Sequence, residues 1–391
     1  MTAPAPAVRP PILSRTLLLR FVSLVGSSIS FYLPLAVVPL YADAIGARAT
    51  AGLATGGLLI TTVLCELATP RMVARIGYRS ALAVGLVLLG APALALLADA
   101  SVPLLVAVSV VRGIGFAICV VAGGALTAAL IPSERRGEGL AIVGLVTGVP
   151  SLLALPAGVW VAQRWGFDVV FVVTALAPIL TLPTIFALAV PQAPTGRRHG
   201  PLRGLREAAL MRPAAVFAAS ACAAGVVVTY LPLALRERAG WIAPAALLLH
   251  SAAATLTRWI AGRIGDRRGQ TGLLTPGLAL SIVGMAALAV TASPWAVLAG
   301  AATFGSGFGI LQNATLALMY SRVHETRYST VSAIWNAAYD LSMAVGAIGA
   351  GLLVSGVGFT AAFLLTAIAM LPALAVTRRE VVSAALTTDR G

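Results

Sequence analysis

Residues Gly262-Arg263-Ile264-Gly265-Asp266-Arg267-Arg268-Gly269 form a short charged run between two long apolar stretches. A degraded copy lies 192 residues earlier, at Pro70-Arg71-Met72-Val73-Ala74-Arg75-Ile76-Gly77, again with apolar stretches on both sides. Two charged turns at one fixed spacing predict a duplicated chain. Each half should turn at a membrane face between its second and third helices.

Composition agrees with a membrane setting. The chain has 391 residues, 59% hydrophobic and 10% charged, with a mean hydropathy of +0.96. Soluble domains carry about 25% charged residues, so the expected class is a polytopic membrane protein. All 27 basic residues are arginine, and the net charge is +14. Such a balance can mark a nucleic-acid binder. Here the arginines fall in loops on one side of the apolar stretches, which is the bias of a membrane protein, so no nucleic-acid partner is expected. Cys65, Cys119 and Cys222 each lie inside an apolar stretch and imply no disulfide framework. Ala42-Asp43-Ala44 resembles a signal-peptidase site, but the preceding stretch exceeds the roughly 7–15 residues of a signal core. The expectation is an uncleaved first helix.

Twelve stretches are long enough to span a bilayer, at 16–41, 50–69, 80–98, 102–130, 137–163, 169–189, 209–233, 242–261, 271–292, 295–320, 329–355 and 358–377. The expected fold is an all-α membrane protein with twelve transmembrane helices in two pseudo-symmetric six-helix halves. Residues 1–15 precede a first bundle over 16–189. A linker at 190–208 leads to a second bundle over 209–377 and a tail at 378–391. Twenty-two of the 27 arginines lie on the side of the linker and both termini; the other side holds Arg48, Arg164, Arg236 and Arg238. The bias predicts a multi-pass protein of the plasma membrane with both termini in the cytoplasm.

The 192-residue repeat extends beyond the turn. Arg112-Gly113-Ile114-Gly115-Phe116 falls on Phe304-Gly305-Ser306-Gly307-Phe308, Arg135 on Arg327, and Gly166-Phe167 on Gly358-Phe359. Tyr32-Leu33-Pro34-Leu35-Ala36 returns as Tyr230-Leu231-Pro232-Leu233-Ala234, at an offset of 198. Pro34 and Pro232 should loosen the backbone at matching depths.

Two six-helix halves with this repeat resemble the major facilitator superfamily over residues 16–377. The most specific mark is Gly262-x-x-x-Asp266-Arg267-x-Gly269, similar to the family's signature turn, which is usually strongest in the first half. Here the first copy has Pro70 and Ala74 in place of the Gly and Asp. Arg112 with Gly115 resembles the fourth-span element linked with proton coupling. Pro150, Pro156 and Gly158 loosely resemble an element of exporters. The resemblance implies a monomer working by alternating access. Spans one, four, seven and ten would line the cavity, span two would pack on span eleven, and span five on span eight.

No phosphate-cradling loop, lysine or metal-spaced His/Cys cluster is present, so no cofactor, metal or ATP-driven step is expected. Gradients then have to drive any transport, which directs attention to ionisable groups inside the spans. Asp340, with Asn336 one turn before it, is the first candidate for a proton carrier; a structural carboxylate is the alternative. Arg112 serves either an anionic substrate, a nearby carboxylic acid, or backbone carbonyls. His250, near the middle of span eight, is a further candidate for proton coupling, but a lone His on an apolar helix is more often hydrogen-bonded packing. Ser23, Ser27, Ser30, Tyr32, Thr229, Tyr230, Gln312 and Asn313, with Asn336, are the polar residues expected at the cavity, although small hydroxyls also serve helix packing. Glu66 facing Arg327 and Arg258 facing Glu138, with Asp266 near the start of span five and Arg267 beside it, would form a cytoplasmic gate in this fold. Static loop ion pairs are the alternative. Asp43 is either an outer gate or an interfacial charge, and Asp168 an N-cap.

The functional expectation is a secondary transporter, exporting small amphipathic compounds against inward proton flow. The alternatives are an importer of a small metabolite or organic anion, and a transporter-like sensor without flux. An enzyme is not expected.

Overall fold

The computed structural model describes residues 13–132, 136–188, 207–324 and 327–388. The linker expected at 190–208 lies almost wholly outside them, as does Arg135, and nothing is described of the Glu138 side chain. Thirteen α-helices run in order: α1 (Arg15–Leu35), α2 (Val37–Ala44), α3 (Ala51–Gly90), α4 (Val102–Leu130), α5 (Arg136–Trp165), α6 (Phe167–Ile179), α7 (Leu182–Phe186), α8 (Ala208–Ala234), α9 (Ile242–Arg268), α10 (Leu274–Leu288), α11 (Pro294–Ser321), α12 (Tyr328–Met370) and α13 (Pro372–Thr388). No strand occurs among the described residues. In lipid the backbone satisfies itself within each helix, which leaves this as the natural outcome. Local chemistry sets several ends. The Ser14 hydroxyl accepts from the Leu17 N–H at 3.2 Å, and Ser293 caps α11 through Ala296. Pro34 lies just before the break between α1 and α2 at Ala36.

Nine helical segments among the described residues are long and apolar enough to cross a membrane. Two of them, Ala51–Leu97 and Thr330–Glu380, have 47 and 51 residues. At about 1.5 Å per residue each is more than twice the thickness of a bilayer core. Both are interrupted by a glycine with positive φ, Gly77 at 78° and Gly358 at 79°. α9 is outside the nine because His250, Ser251, Thr255, Thr257 and Arg258 dilute its apolar run, yet it packs along α11 and α5 like its neighbours. Two passes for each interrupted segment and one for α9 are consistent with twelve.

The repeat is written into the backbone. Gly77 and Gly269 (φ 84°) end the two charged turns, and Gly166 (φ 92°) and Gly358 open the last pass of each half. Each pair is 192 residues apart, and each glycine adopts a left-handed conformation that side chains resist. The crossings repeat too. A Cβ on Gly113 would strike the Leu58 carbonyl, and one on Gly305 the His250 carbonyl. Gly115 lies against Gly85 and Leu89, and Gly307 against Gly277 and Ser281. All these partners obey the same offset. The Gly-x-Gly elements of α4 and α11 therefore let three passes of each half touch backbone to backbone, α4 meeting both arms of α3 and α11 meeting α9 and α10.

Helices of the first half meet those of the second mainly through α3 on α12 and α5 on α9. We call the side bearing the two charged turns the arginine-rich face and the other the far face. Burial along the seam helices is lopsided. Near the far face Ala54, Leu58 and Leu59 of α3, Ala154, Leu155 and Val159 of α5, and Ala243, Ala246 and Leu247 of α9 are buried. Toward the arginine-rich face Leu64, Leu67, Leu145, Val149, Leu256 and Trp259 are exposed. Among the described residues the side-chain contacts between the halves, Asp43 on Arg236, Arg48 on Phe359 and Ala347 and Ile348 on Gly52 and Gly56, lie at the far face.

Gly113→Val should overpack the α3–α4 crossing and destabilise the protein by about 1–3 kcal/mol. Gly349→Ala, where a Cβ meets nothing within 4 Å, should be neutral or stabilising by about 0.5–1 kcal/mol. Thermal unfolding of the two purified variants checks the contrast.

Candidate functional site

The far face is held by four contacts that cross between the halves. Asp43, in the last turn of α2, is ion-paired to Arg48 of its own half at 2.5 Å and to Arg236, which follows α8. Its side chain is only 5% exposed, whereas both arginines are about half exposed. The Arg48 guanidinium also lies over the Phe359 ring, 5.9 Å from its centroid. Gly52 and Gly56 of α3 have no side chain where Ala347 and Ile348 of α12 press in. Tyr230 donates to the Ala347 carbonyl at 2.9 Å, and its hydroxyl fills the space where a Cβ on Gly52 would lie. Asp43 is thus the clasp of a closed face rather than a freely solvated interfacial charge.

Deeper in the seam lies a polar group drawn from both halves. Asp340 of α12 is 7% exposed, and it makes no hydrogen bond or ion pair with any described residue. Glu66 of α3 lies within its electrostatic reach. Tyr32 of α1 feels both Asp340 and Arg258 of α9, and so does Tyr339. Five ionisable side chains from four helices therefore share one region. Asn336 is half-buried one turn from Asp340, and Gln312 and Asn313 are half-buried on α11. The Asn313 amide faces Gly262, and its Oδ1 is buried without a partner.

Behind this group stands an aromatic column absent from the sequence-based expectations. Phe217 stacks on Trp335 at 4.4 Å and 8°, and Tyr339 and Phe308 continue it. The Trp335 indole N–H donates to Thr315 at 3.0 Å. Trp335 and Tyr339 are four apart and flank Asn336, a spacing visible in the sequence. His250 joins the far end of the column, stacked on Phe304 at 5.3 Å, with Nδ1 buried and unpartnered. Its place is inside the second half.

Other expected cavity residues point elsewhere in this conformation. Ser30 is fully buried and donates to the Thr174 carbonyl of α6 at 2.7 Å. Ser27 returns its hydroxyl to Leu24. Both serve packing within the first half, and Tyr230 serves the far-face closure. Arg112, 2% exposed, donates through Nε to the Leu89 carbonyl at 3.0 Å and through Nη2 to the Ser30 carbonyl at 2.5 Å. It ties three passes together.

At the arginine-rich face the expected Glu66–Arg327 pair is not made, and the expected partner of Arg258, Glu138, lies outside the described side chains. Arg327 is bonded to Glu207 at 2.7 and 3.2 Å. Those hydrogen bonds, with the carboxylate charge, raise its pKa above the ordinary arginine value. Arg258, Asp266 and Arg267 are exposed and Glu66 is half-buried, with no ion pair among the described residues. Two buried charges here gave no sequence signal. Arg20, assigned by position to the solvated arginine-rich side, is 1% exposed and held only by Ser23. Glu380, in the expected tail, is 1% exposed and pairs with Arg322 and, at 3.8 Å, Arg212. It anchors α13 against the second half.

A seam between two repeat-related helical halves, closed on one face and lined with unpaired polar groups, is the layout of a membrane transport protein. The chain belongs to the Major Facilitator Superfamily, whose pattern it matches over residues 20–347. It is 28% identical over 392 residues to an uncharacterized MFS-type transporter of Escherichia coli strain K12, covering 94% of this chain and 95% of that one. It is 30% identical over 226 residues to a probable multidrug-efflux transporter of Mycobacterium tuberculosis strain H37Rv. That match covers 56% of this chain and 46% of the relative, so the chain spans about half the length of the mycobacterial protein. The fold resembles a bacterial homolog of the human lysosomal transporter Spinster in an inward-facing, occupied conformation (TM-score 0.78, 15% identity, 95% and 97% coverage). It also resembles a peptide transporter solved with sulfate (TM-score 0.77, 14% identity, 95% and 96% coverage).

Asp43→Asn removes the charge that holds Arg236 across the seam. Single cysteines placed near residues 48 and 236 should then react faster with a membrane-impermeant thiol reagent from the far side. Unchanged labelling rates would show that the glycine contacts alone keep this face closed.

Proposed function

We propose that this chain is a proton-coupled exporter of small amphipathic compounds, working by alternating access as a monomer in the plasma membrane. The two bundles, 16–189 and 209–377, move against each other about the seam. The arginine bias puts the arginine-rich face and both termini in the cytoplasm, so the conformation described is open inward. The observation that carries the reading is Asp340. A buried carboxylate without a partner is costly within a span, by about 2.5–3.5 kcal/mol on insertion scales, and such groups mark proton and ion pathways. Its place on a seam helix lets it meet one face or the other as the halves rock. The aromatic column and few fixed charges suit an amphipathic solute better than a sugar. The mycobacterial relative, named as a probable efflux transporter, supports the direction.

Each proton moving inward supplies about 2.3 kcal/mol per 100 mV. In this scheme Asp340 carries the proton and Arg112 sets the field around it. Glu66, Arg258, Arg327 and Glu138, with Asp266 and Arg267 of the signature turn, form a latch that engages when the cytoplasmic mouth closes. Arg327 would exchange Glu207 for Glu66 in that step.

Vesicles with a pH gradient imposed in either direction test coupling and direction together, with substrates chosen by a thermal-shift ligand screen. Asp340→Asn should abolish gradient-driven transport, by about tenfold or more, while leaving ligand binding. Intact proton-driven flux in that variant removes Asp340 from the role, and uptake driven by an inward proton gradient would make the chain an importer. Glu66→Arg should shift cysteine accessibility toward the inward-open state; an unmoved balance would remove the latch.

A further inference from the structure

Arg112 also borders a small, partly open cavity. The cavity, of about 10 Å³, lies among α1, α3 and α4, walled by Phe31, Leu35 and Leu58 and edged by Thr55, Ser109 and Arg112. That space accommodates about one water-sized particle. Two features suit it to an anion. The Arg112 guanidinium keeps its charge but finds no carboxylate, for its two partners are the Leu89 and Ser30 carbonyls. Thr55, 3% exposed, holds a buried hydroxyl with no partner. Most hydroxyls in neighbouring helices return to the carbonyl one turn back, as Thr62 does to Leu58 and Thr69 to Cys65. Thr55 does not, which leaves its O–H free beside the cavity. Ser109 is already committed to Leu105 at 2.9 Å and contributes no further donor.

We propose that this cavity binds a single halide ion, chloride under ordinary conditions, between the Arg112 guanidinium and the Thr55 hydroxyl. A charged donor and a neutral donor in apolar walls suit a weakly hydrated monovalent anion. A carboxylate-bearing solute is too large for the space. A halide is slightly wider than water, and the side chains of Leu35 and Leu58 yield the difference by small rotations. The ion neutralises a cation that the two carbonyl dipoles only partly offset. It would thereby hold α1, α3 and α4 together on the first-half side of the seam.

The test is thermal unfolding of the purified full chain, with chloride or bromide replacing gluconate at constant ionic strength and no gradient. The wild type should show a saturable, halide-specific rise in its unfolding midpoint. Thr55→Val, nearly isosteric, should weaken the apparent affinity by about tenfold, the scale of a lost hydrogen bond to a charged group. Arg112→Gln should remove the effect; should that variant fail to fold, Thr55→Val decides alone. Equal midpoints in chloride and gluconate would overturn the proposal and leave water as the occupant. A halide effect unchanged in Thr55→Val would overturn it by placing the ion elsewhere. Proton-driven flux is measured separately, so a failure of the halide site is distinguishable from a failure of the transport reading.

Discussion

Close approach of α3 and α12 at the far face is the contact on which the conformation rests. It exists because Gly52 and Gly56 offer no side chains, so the Ala347 carbonyl and the Ile348 side chain occupy their surface. Helices that touch at one end and are stiff along their length separate toward the other. That separation leaves Glu66 and Arg258 without partners and lets Arg327 settle on Glu207. The Asp43 clasp and the Tyr230 bond stand at the same end. They add charge and directionality to a contact whose shape is set by missing side chains. Glycine therefore works here in two ways, allowing left-handed turns at Gly77 and Gly358 and close backbone contact at Gly52 and Gly113.

The features legible in the sequence were those governed by the backbone. A charged turn needs a left-handed residue at its end, and a tight crossing needs a missing side chain. Both requirements fall on specific glycines, and the 192-residue spacing records them. Side-chain direction was less legible. Ser30 and Tyr230 lie on helices that face the seam, but a helix has several faces, and packing against α6 or α12 claimed these two hydroxyls. Arg20 looked like an interfacial charge because position along the chain says nothing about rotation about the helix axis. Glu380 looked like tail because its partners, Arg212 and Arg322, are remote in sequence. The aromatic column was hidden for the same reason, although its Trp335 and Tyr339 share a helix face with one spacing.

Where the repeat fails is as informative as where it holds. Arg112 stands opposite Phe304, and Leu58 opposite His250, at positions whose backbones are matched. Tyr32 looks into the polar region of the seam, whereas Tyr230 is sealed into the far face. The scaffold is symmetric and the chemistry is not. The first half keeps a cation fixed by two carbonyls, and the second keeps a carboxylate held by nothing.

That division has a mechanical consequence under the transport reading. Arg112 is tied to α1 and α3, so its charge travels with the first half as a rigid body. Asp340 travels with the second. Rocking the halves changes the separation between a permanent positive charge and a group able to gain or lose a proton. At an effective dielectric constant of about 20, opposite unit charges attract by roughly 1.7 kcal/mol at about 10 Å and by half that at about 20 Å. An anion beside Arg112 would reduce the field it projects, and with it the dependence of Asp340 on the position of the first half. The halide site and the proton site would then be linked through a single guanidinium, although each is defined by contacts of its own.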